Sequence, residues 1–340
     1  MLASVRNALN QEYQHRQRTS SHLFQINYKL SSPASSSACL RTAQIFKVDE
    51  ETDNVTEENI TPEMWPKVEE ADRAEIRQFV EERAFKKIHR DQFTSDMVII
   101  DARWVRKWKR YPDKSVKMKS RLCARGFLDQ QKDLLTTRST TATRLSQRLL
   151  ISQAARKKQR TVESIDIAGA FLKGFSFAEI QKALKQLGVD APHQVVIILP
   201  PLNVFRHLSE LSSDFAGMDE VTATQYGLLC TKPVYGLNDA PLAWQLCLHQ
   251  FIKAQGGIGS HLDDCTFLWK DKDSSLTAMA TTHVDDIAMT GTTSWIDDMA
   301  DNMVKRFKKV SRQKLPFDHC CGCRYERTPA GTRSINVTLR

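Results

Sequence analysis

The sequence lacks any long hydrophobic run. None of its apolar stretches approaches the roughly 18 consecutive apolar residues of a membrane-spanning helix, and residues 1 to 21 have no extended apolar core typical of a secretory signal peptide. Hydrophobic residues make up 41% of the chain and charged residues 26%, values that fit a folded protein and exclude wholesale disorder. We therefore expect an intracellular protein without a membrane partner, folded as one large unit or two lobes.

A compact disulfide framework is also missing. The eight cysteines are scattered along the chain, and an intracellular setting would keep most of them reduced. The segment HCCGC at 319–323 does bring Cys320, Cys321 and Cys323 together in sequence. This spacing is tighter than that of the usual separated pairs of zinc ligands. We expect a strand or turn with small buried thiols there, and zinc binding is the less favoured alternative.

The chain has no excess of acids. Its 49 Lys and Arg outnumber its 40 Asp and Glu, which gives a formal net charge of +9. Residues 101 to 125 alone contain ten Lys or Arg and two Asp, with Trp104, Trp108 and Tyr111 between them. This mixture suits phosphate neutralisation and stacking on a nucleic-acid strand. A solvated basic face whose aromatic residues lie in a core explains the composition equally well.

Composition and periodicity also predict the organisation of the chain. Residues 1 to 60 are small, polar and acidic, and predict a poorly ordered leader. Helical periodicity predicts amphipathic helices at 62–88, 144–159, 176–187, 240–254 and 294–310. Strands are predicted at 97–110, 116–127, 161–174, 194–201, 276–284 and 287–291, the first two forming a basic β-ribbon. Residues 202 to 224 are expected to form a loop.

Three carboxylates stand out by position. Asp166 lies near the end of one predicted strand, and Asp285 and Asp286 join two others in a tight hairpin. If these strands are neighbours in one sheet, the acids converge and repel one another unless a cation neutralises them. Hard oxygen ligands favour Mg²⁺ or Mn²⁺, and two such ions could support phosphoryl transfer. A polar hairpin tip is the alternative for the paired acids, because Asp is common in turns.

Four motifs follow one another along the chain: KSRLCARGF at 119–127, SIDIAGAFLKG at 164–174, VYGLNDAPLAW at 234–244 and HVDD at 283–286. In this order and at these separations they resemble the reverse transcriptase of copia-type LTR retrotransposons. The resemblance covers roughly residues 63 to 327. It implies an α+β, right-hand polymerase fold with fingers and a palm, the palm built on an antiparallel ferredoxin-like sheet. It further implies an RNA-directed DNA polymerase that uses a primed RNA or DNA template and deoxynucleoside triphosphates.

The resemblance also assigns roles to individual residues. It makes Asp166, Asp285 and Asp286 catalytic and metal-binding, with two Mg²⁺ or Mn²⁺ ions held mainly by the first two. It implies nucleotide binding for a basic strand face, an aromatic ring and a turn, namely Lys119, Arg121, Arg125, Phe171, Tyr235 and Gly236. Phe171 would lie beneath the incoming sugar and exclude a 2′-hydroxyl, although an ordinary core phenylalanine is the alternative. His283 would lie near the primer terminus.

Some positions depart from the family pattern. His283 replaces the usual Tyr, and Asn238 and Asp239 replace the usual Lys-Gln, so that Asp239 would add negative charge near the nucleotide. Trp244 is expected to be a core anchor of its helix. A catalytically inactive nucleic-acid-binding remnant of such an element is therefore the alternative function. A metal hydrolase built on HVDD is disfavoured, because it leaves the motifs at 119–127 and 234–244 without a role.

The resemblance divides the chain into parts of a longer polyprotein. We expect the leader at 1–60, a helix and basic fingers at 61–165, the palm with its acids at 166–310, and the start of a thumb or connection at 311–340. No protease, integrase or RNase H motif occurs in the sequence, so those polyprotein parts are expected as partners in other chains. The expected location is the cytoplasm, within a retrotransposon particle, or the nucleus.

Overall fold

The computed structural model describes residues 54–110, 115–131, 137–157, 159–189 and 194–315, together with the strands at 317–320, 323–327 and 335–339. The described residues fall into two units, which divide between Gln313 and Lys314. Residues 1–53 of the predicted leader lie outside the described part of the chain. Among the helices of the described residues, none has the length and apolar character needed to cross a membrane.

The described strands are β1 Asn54–Val55, β2 Phe85–His89, β3 Val98–Arg110, β4 Val116–Ala124, β5 Arg160–Ile167, β6 Val196–Leu199, β7 Tyr226–Cys230, β8 Ile258–Gly259, β9 Thr266–Lys270, β10 Leu276–His283, β11 Asp286–Thr292, β12 Val310–Lys314, β13 Phe317–Cys320, β14 Cys323–Arg327 and β15 Ile335–Leu339. The helices are α1 Trp65–Glu81, α2 Arg144–Arg156, α3 Phe177–Gln186, α4 Leu202–Leu211, α5 Glu220–Ala223, α6 Ala240–Ala254 and α7 Thr293–Phe307. This is a mixed α+β fold, as predicted.

The first sheet contains the basic ribbon. Its strand order is β1-β3-β6-β7-β2, with β4 paired to β3. Strands β3 and β4 form an antiparallel ladder from Ala102↔Ala124 to Arg110↔Val116, which confirms the predicted ribbon. Because side chains alternate across a strand, Leu122 and Ala124 point to the core under α1, while Lys119 and Arg121 face the other way.

Helix α1 faces the core differently from the sequence prediction. Ile76 and Phe79 are buried as expected, but Trp65 is 45% exposed. Two acids of the helix, Asp72 and Glu75, are buried in its place. Asp72 can be buried because it has a charged partner, Arg106 on the inner face of β3. The guanidinium Nη2 of Arg106 lies 2.6 Å from the Asp72 carboxylate. Charge periodicity alone cannot reveal such a buried pair.

The second sheet has the strand order β12-β5-β11-β10-β9-β8. The pairs β5/β11, β11/β10, β10/β9 and β9/β8 are antiparallel. In chain order, but with other elements between them, β5, α6, β10, β11, α7 and β12 make up a βαββαβ unit. One face packs on α6 and α7 through a core that includes Ile165, Ile287, Trp244, Ile296 and Met299. Helix α2 also packs on β5, β10 and β11.

The segment predicted as a loop at 202–224 is helical, so that prediction is wrong. Val204, Phe205 and Leu208 have the spacing of one helix face and are buried under the first sheet. Strands β6 and β7 lie on either side of this segment and join the first sheet rather than the second. The first sheet therefore combines strands from before and after the predicted boundary at residue 165.

The second unit contains an antiparallel sheet in the order β13-β14-β15. Within it, Cys320 lies opposite Cys323 at the end of the β13/β14 ladder. The predicted strand-and-turn conformation of the HCCGC segment is thus confirmed for its two strand ends. The side chains of these residues and the backbone of 321–322 lie outside the described part of the chain.

Candidate active site

The three acids predicted to be catalytic meet at one end of the second sheet. In the β5/β11 ladder Asp286 lies directly opposite Asp166, and in the β10/β11 ladder it lies opposite His283. Residues directly opposite in an antiparallel sheet project to the same face, with Cβ atoms about 4.5 to 5.5 Å apart. Asp166, Asp286 and His283 therefore form one row across three strands. Asp285 lies beside this row, in the two-residue hairpin tip.

The hairpin tip has a strained backbone that its surroundings hold in place. Val284 has φ of +57°, a conformation that is costly for a β-branched residue. The indole Nε1 of Trp244 donates a 2.7 Å hydrogen bond to the carbonyl of Val284, and the N–H of Ile167 donates to the carbonyl of Asp285 at 3.3 Å. Trp244 is 1% exposed, which confirms its predicted core position. Its positioning of the tip was not predicted.

Electrostatics couple Asp166 to the hairpin and to the ribbon. Burial raises the pKa of the half-buried Asp166 carboxyl, and the charge of Asp285 raises this pKa further. Lys109 and Lys119 lower the pKa of Asp166, as does the hydroxyl of Ser311, whose Oγ lies 3.5 Å from Oδ2. The acids and the cations of the ribbon are thus electrostatic neighbours, although they come from different sheets.

This donor set fits a hard divalent cation. Asp166 and Asp285 offer carboxylate oxygens that repel each other, and a bound cation would relieve that repulsion. Oxygen-only donors suit Mg²⁺ or Mn²⁺ better than a soft metal. Within the described residues, no group of three or more His, Cys, Asp or Glu side chains stands arranged as a metal site. The three acids themselves do not form such a group, and it is the mutual repulsion of Asp166 and Asp285 that makes this pair the candidate ligands of a cation.

A cation and two aromatic rings lie together on the open side of the ribbon. The Arg121 guanidinium lies over the Tyr235 ring, 5.3 Å from its centroid, and the ring centroids of Tyr235 and Phe171 are 5.7 Å apart. Lys119 is on the same face of β4, and burial lowers its pKa, helped by the charges of Arg121 and Lys109. The structure thus brings together four of the residues predicted to bind nucleotide.

Arg125 is placed differently from the other two cations of its motif. Strand β4 ends at Ala124, so the alternation that predicted a shared face for Lys119, Arg121 and Arg125 does not extend to Arg125. The Arg125 guanidinium pairs with the carboxylate of Asp101, and the backbone N–H of Arg125 donates a 2.9 Å hydrogen bond to the backbone carbonyl of Asp101. The prediction of a shared strand face therefore holds for Lys119 and Arg121 and is wrong for Arg125, whose role in nucleotide binding stays a prediction.

Gly236 is required by backbone packing. Its φ is +91°, and a Cβ at this position would lie 2.0 Å from the carbonyl oxygen of Ala124. Just before it, the carbonyl of Tyr235 accepts a 2.8 Å hydrogen bond from the N–H of Ala124. The Gly236 backbone therefore approaches the end of β4 closely. It anchors Tyr235 beside the ribbon, while direct contact of Gly236 with a nucleotide stays a prediction.

Two residues that depart from the family pattern are buried to different degrees, Asp239 fully and His283 partly. Asp239 is 6% exposed, and burial raises the pKa of its carboxyl to about 6. Burial lowers the pKa of His283, against the opposing effect of Asp285. The neutral imidazole is therefore favoured near neutral pH.

Sequence reasoning missed several residues of this region. Lys109 could have been found by continuing the alternation of β3 across the ribbon, since it faces the same side as Lys119. The buried Glu75, whose pKa the charges of Arg121 and Lys119 lower, carries no such signal because it belongs to a helix far away in sequence. Ser311 likewise reaches Asp166 only through the pairing of β12 with β5.

The comparisons with known proteins are consistent with part of the sequence resemblance. No family model matches the chain. Over 240 residues, 70% of the chain, it is 24% identical to the Retrovirus-related Pol polyprotein from transposon RE1 of Arabidopsis thaliana, and it spans only 14% of that polyprotein. This similarity supports an origin in a retrotransposon Pol sequence. Among solved structures, telomerase from Candida albicans in complex with a TWJ fragment of telomeric RNA aligns with a TM-score of 0.40 and 12% identity, covering 79% of this chain and 50% of that one.

Proposed function

We propose that this chain is the reverse transcriptase segment of a copia-type retrotransposon polyprotein, an RNA-directed DNA polymerase. The observation that carries the proposal is the register of β11 against β5, which sets Asp286 opposite Asp166 with Asp285 at the adjoining tip. A paired-acid hairpin beside a third carboxylate supplies oxygen ligands of the kind that hold two metal ions for phosphoryl transfer. The second sheet would be the palm of a right-hand polymerase, and the β3/β4 ribbon would belong to its fingers.

Asp166 and Asp285 would hold two Mg²⁺ or Mn²⁺ ions, with Asp286 assisting. When bound, such ions would lower the pKa of the primer 3′-hydroxyl and stabilise the leaving pyrophosphate. The chain itself would contribute an acidic end of the sheet whose carboxylates are held by the ladder and by the fixed hairpin tip. His283 lies in the same row as the acids, where it would contact the primer terminus.

The residues on the ribbon side would bind the deoxynucleoside triphosphate. Lys119 and Arg121 supply positive charge for its phosphates, and the field of Lys119 already reaches Asp166. Arg121 and Phe171 both contact Tyr235, which places the Phe171 ring near a cation proposed to bind the phosphates. The Phe171 ring would then meet the sugar of the nucleotide, as the resemblance to copia-type enzymes implies. A ring in this place would favour deoxynucleotides by excluding a 2′-hydroxyl.

The partners proposed for the chain follow from this reaction. They are a primed RNA or DNA template, deoxynucleoside triphosphates, and the protease, integrase and RNase H parts of the polyprotein. The proposed location is intracellular, in a cytoplasmic retrotransposon particle or in the nucleus.

Extension of an oligo-dT primer on poly-rA by the purified chain, with Mg²⁺ or Mn²⁺, tests the proposal. We expect incorporation by the wild type and none by Asp166→Asn or Asp285→Asn, while both variants keep their affinity for the template-primer. Asp298→Asn, which alters an exposed acid of α7, is the matched control and should extend normally. Binding by the wild type without incorporation would identify an inactive remnant, and equal loss of binding in the Asp166 and Asp285 variants would contradict their assigned roles.

A further inference from the structure

We propose that the outer face of α2 is a second nucleic-acid contact, which binds the phosphate backbone of the template-primer duplex as it leaves the acids. This inference rests on the proposed polymerase function and adds a surface that the predicted motifs do not include. Three observations support it: the position of α2 on the second sheet, the hydrogen bonds that fix the first turn of α2, and the side chains that α2 exposes.

Helix α2 covers the same side of the second sheet as the acid row. The opposite side, which carries Ile165, Ile287 and Met289, packs on α6 and α7. The inward residues of α2, among them Leu150 and Ile151, are buried but lie outside that core, although the helix packs on β5, β10 and β11. Since a sheet has only two faces, α2 lies on the face from which Asp166 and its ladder partners project.

The start of α2 is fixed beside the hairpin. The N–H of Ala142 donates a 3.0 Å hydrogen bond to the carbonyl of Thr282, the residue before His283 in the row of Asp166, Asp286 and His283. The buried Asp263 carboxylate then accepts hydrogen bonds from the N–H of Thr143 at 2.8 Å and from the Ser146 hydroxyl at 2.5 Å. From this anchored turn the 13 residues of α2 extend about 20 Å along the sheet. That length corresponds to about six base-pair steps of 3.4 Å.

The exposed side chains of α2 match a polyanion. The helix contains no Asp or Glu, and Arg144, Arg148 and Arg156 are all exposed. Between the first two arginines lies Leu145, which is 74% exposed, and Leu149 follows at 48%. A second copy of the chain docked through these leucines would bring the arginines of both copies together, which is unfavourable. A phosphate backbone would neutralise the arginines and release counterions.

Salt-dependent binding of a DNA primer annealed to an RNA template tests the proposal. The double variant Arg144→Gln/Arg156→Gln should bind on the order of ten-fold more weakly at about 0.1 M salt, with its log K against log salt slope reduced by about two. The matched control is Lys182→Gln/Lys185→Gln, which removes the same charge from α3, a helix of the core on the opposite face. The control should bind as the wild type does. Equal effects of both double variants, or no effect of the α2 variant, would overturn the proposal.

All of these binding measurements are made on an Asp285→Asn background, so that they do not depend on catalysis. If the wild type binds the template-primer but never extends a primer, the polymerase proposal fails. The affinities of the α2 and α3 double variants still decide whether α2 contacts nucleic acid. If the wild type extends and the α2 variant binds normally, only the α2 proposal fails. Circular dichroism checks that each variant is folded. A change of oligomeric state in Leu145→Ala/Leu149→Ala, measured by size-exclusion chromatography, would assign the face to a second copy and overturn the proposal.

Discussion

The indole N–H of Trp244 binds the carbonyl oxygen of Val284 at 2.7 Å, joining the first half of α6 to the tip of the acidic hairpin. The acceptor belongs to a residue in the left-handed region, and the next residue is Asp285. A buried hydrogen bond from a core side chain thus fixes the backbone from which a proposed catalytic carboxylate projects. The predictions below begin with this contact.

Trp244→Phe should reduce the rate of primer extension while the protein loses only a little stability. The substitution keeps an aromatic ring in the core but removes the hydrogen bond to the tip, which costs about 1 kcal/mol of stability. We expect a lower kcat with a smaller change in KM for the nucleotide, because the acids are misplaced. Trp269→Phe is the matched control, since Trp269 is also buried and donates a 2.9 Å hydrogen bond to the Gln255 carbonyl. Equal losses of kcat in both variants would contradict a specific role for Trp244.

Phe171→Val should relax the discrimination against ribonucleotides. A smaller side chain beside Tyr235 leaves room for a 2′-hydroxyl, so kcat/KM for UTP should rise relative to dUTP on a poly-rA template. Phe177→Val is a suitable control, because Phe177 is half-buried against the first core. If the ratio is unchanged while both variants remain folded, Phe171 is an ordinary core residue and the proposed contact with the sugar is wrong.

Gly236→Ala should destabilise the protein by about 2 to 5 kcal/mol, from the positive φ and the steric overlap together. The added methyl group would meet the Ala124 carbonyl oxygen at 2.0 Å, which would push the Tyr235 turn away from β4. Gly259→Ala is the matched control, because a Cβ at Gly259 meets no atom within 4 Å. Urea denaturation of both variants measures the difference. Similar midpoints for the two would show that the turn can shift without cost.

Glu75→Gln should stabilise the protein at alkaline pH but not at acidic pH. Burial raises the pKa of the Glu75 carboxyl from 4.5 to about 7, although the Leu122 N–H and the charges of Arg121 and Lys119 oppose this shift. Between these two values the folded state binds the extra proton, so stability falls as pH rises from about 4.5 to about 7. The full loss is about 3 kcal/mol, and a neutral glutamine avoids it.

Urea midpoints at pH 5 and pH 8 check this prediction, with Glu70→Gln on the exposed side of α1 as the control. Glu75→Gln should flatten the difference between the two pH values, and Glu70→Gln should leave it as in the wild type. A gain in stability at pH 5 equal to that at pH 8 would contradict a raised pKa for Glu75.

Several elements were predictable because their signals are local. The ribbon strands β3 and β4, the hairpin strands β10 and β11, and helices α1, α2, α3, α6 and α7 were all predicted from periodicity. Helix α4 was missed, because a short apolar face in a polar segment resembles a loop. The buried pair of Asp72 and Arg106 was also missed, because it joins a helix and a strand that are distant in sequence.

The candidate site shows the same division. The residue types and their order along the chain suggested carboxylates for a cation and basic residues for phosphates. Their convergence depends on the register of β11 against β5, and a shift of one residue would turn Asp286 to the other face. The role of Gly236 and the separate place of Arg125 likewise depend on where β4 ends against the turn at 234–237.

The sequence by itself determined which residues are available for chemistry and where most of the strands and helices lie, because those preferences arise from side chains within a few residues of one another. Only the tertiary structure decided which acids face each other, which charges are paired, and that α2 shares a sheet face with Asp166. These relationships depend on hydrogen-bond register and burial between segments up to some 120 residues apart, and no local pattern specifies them.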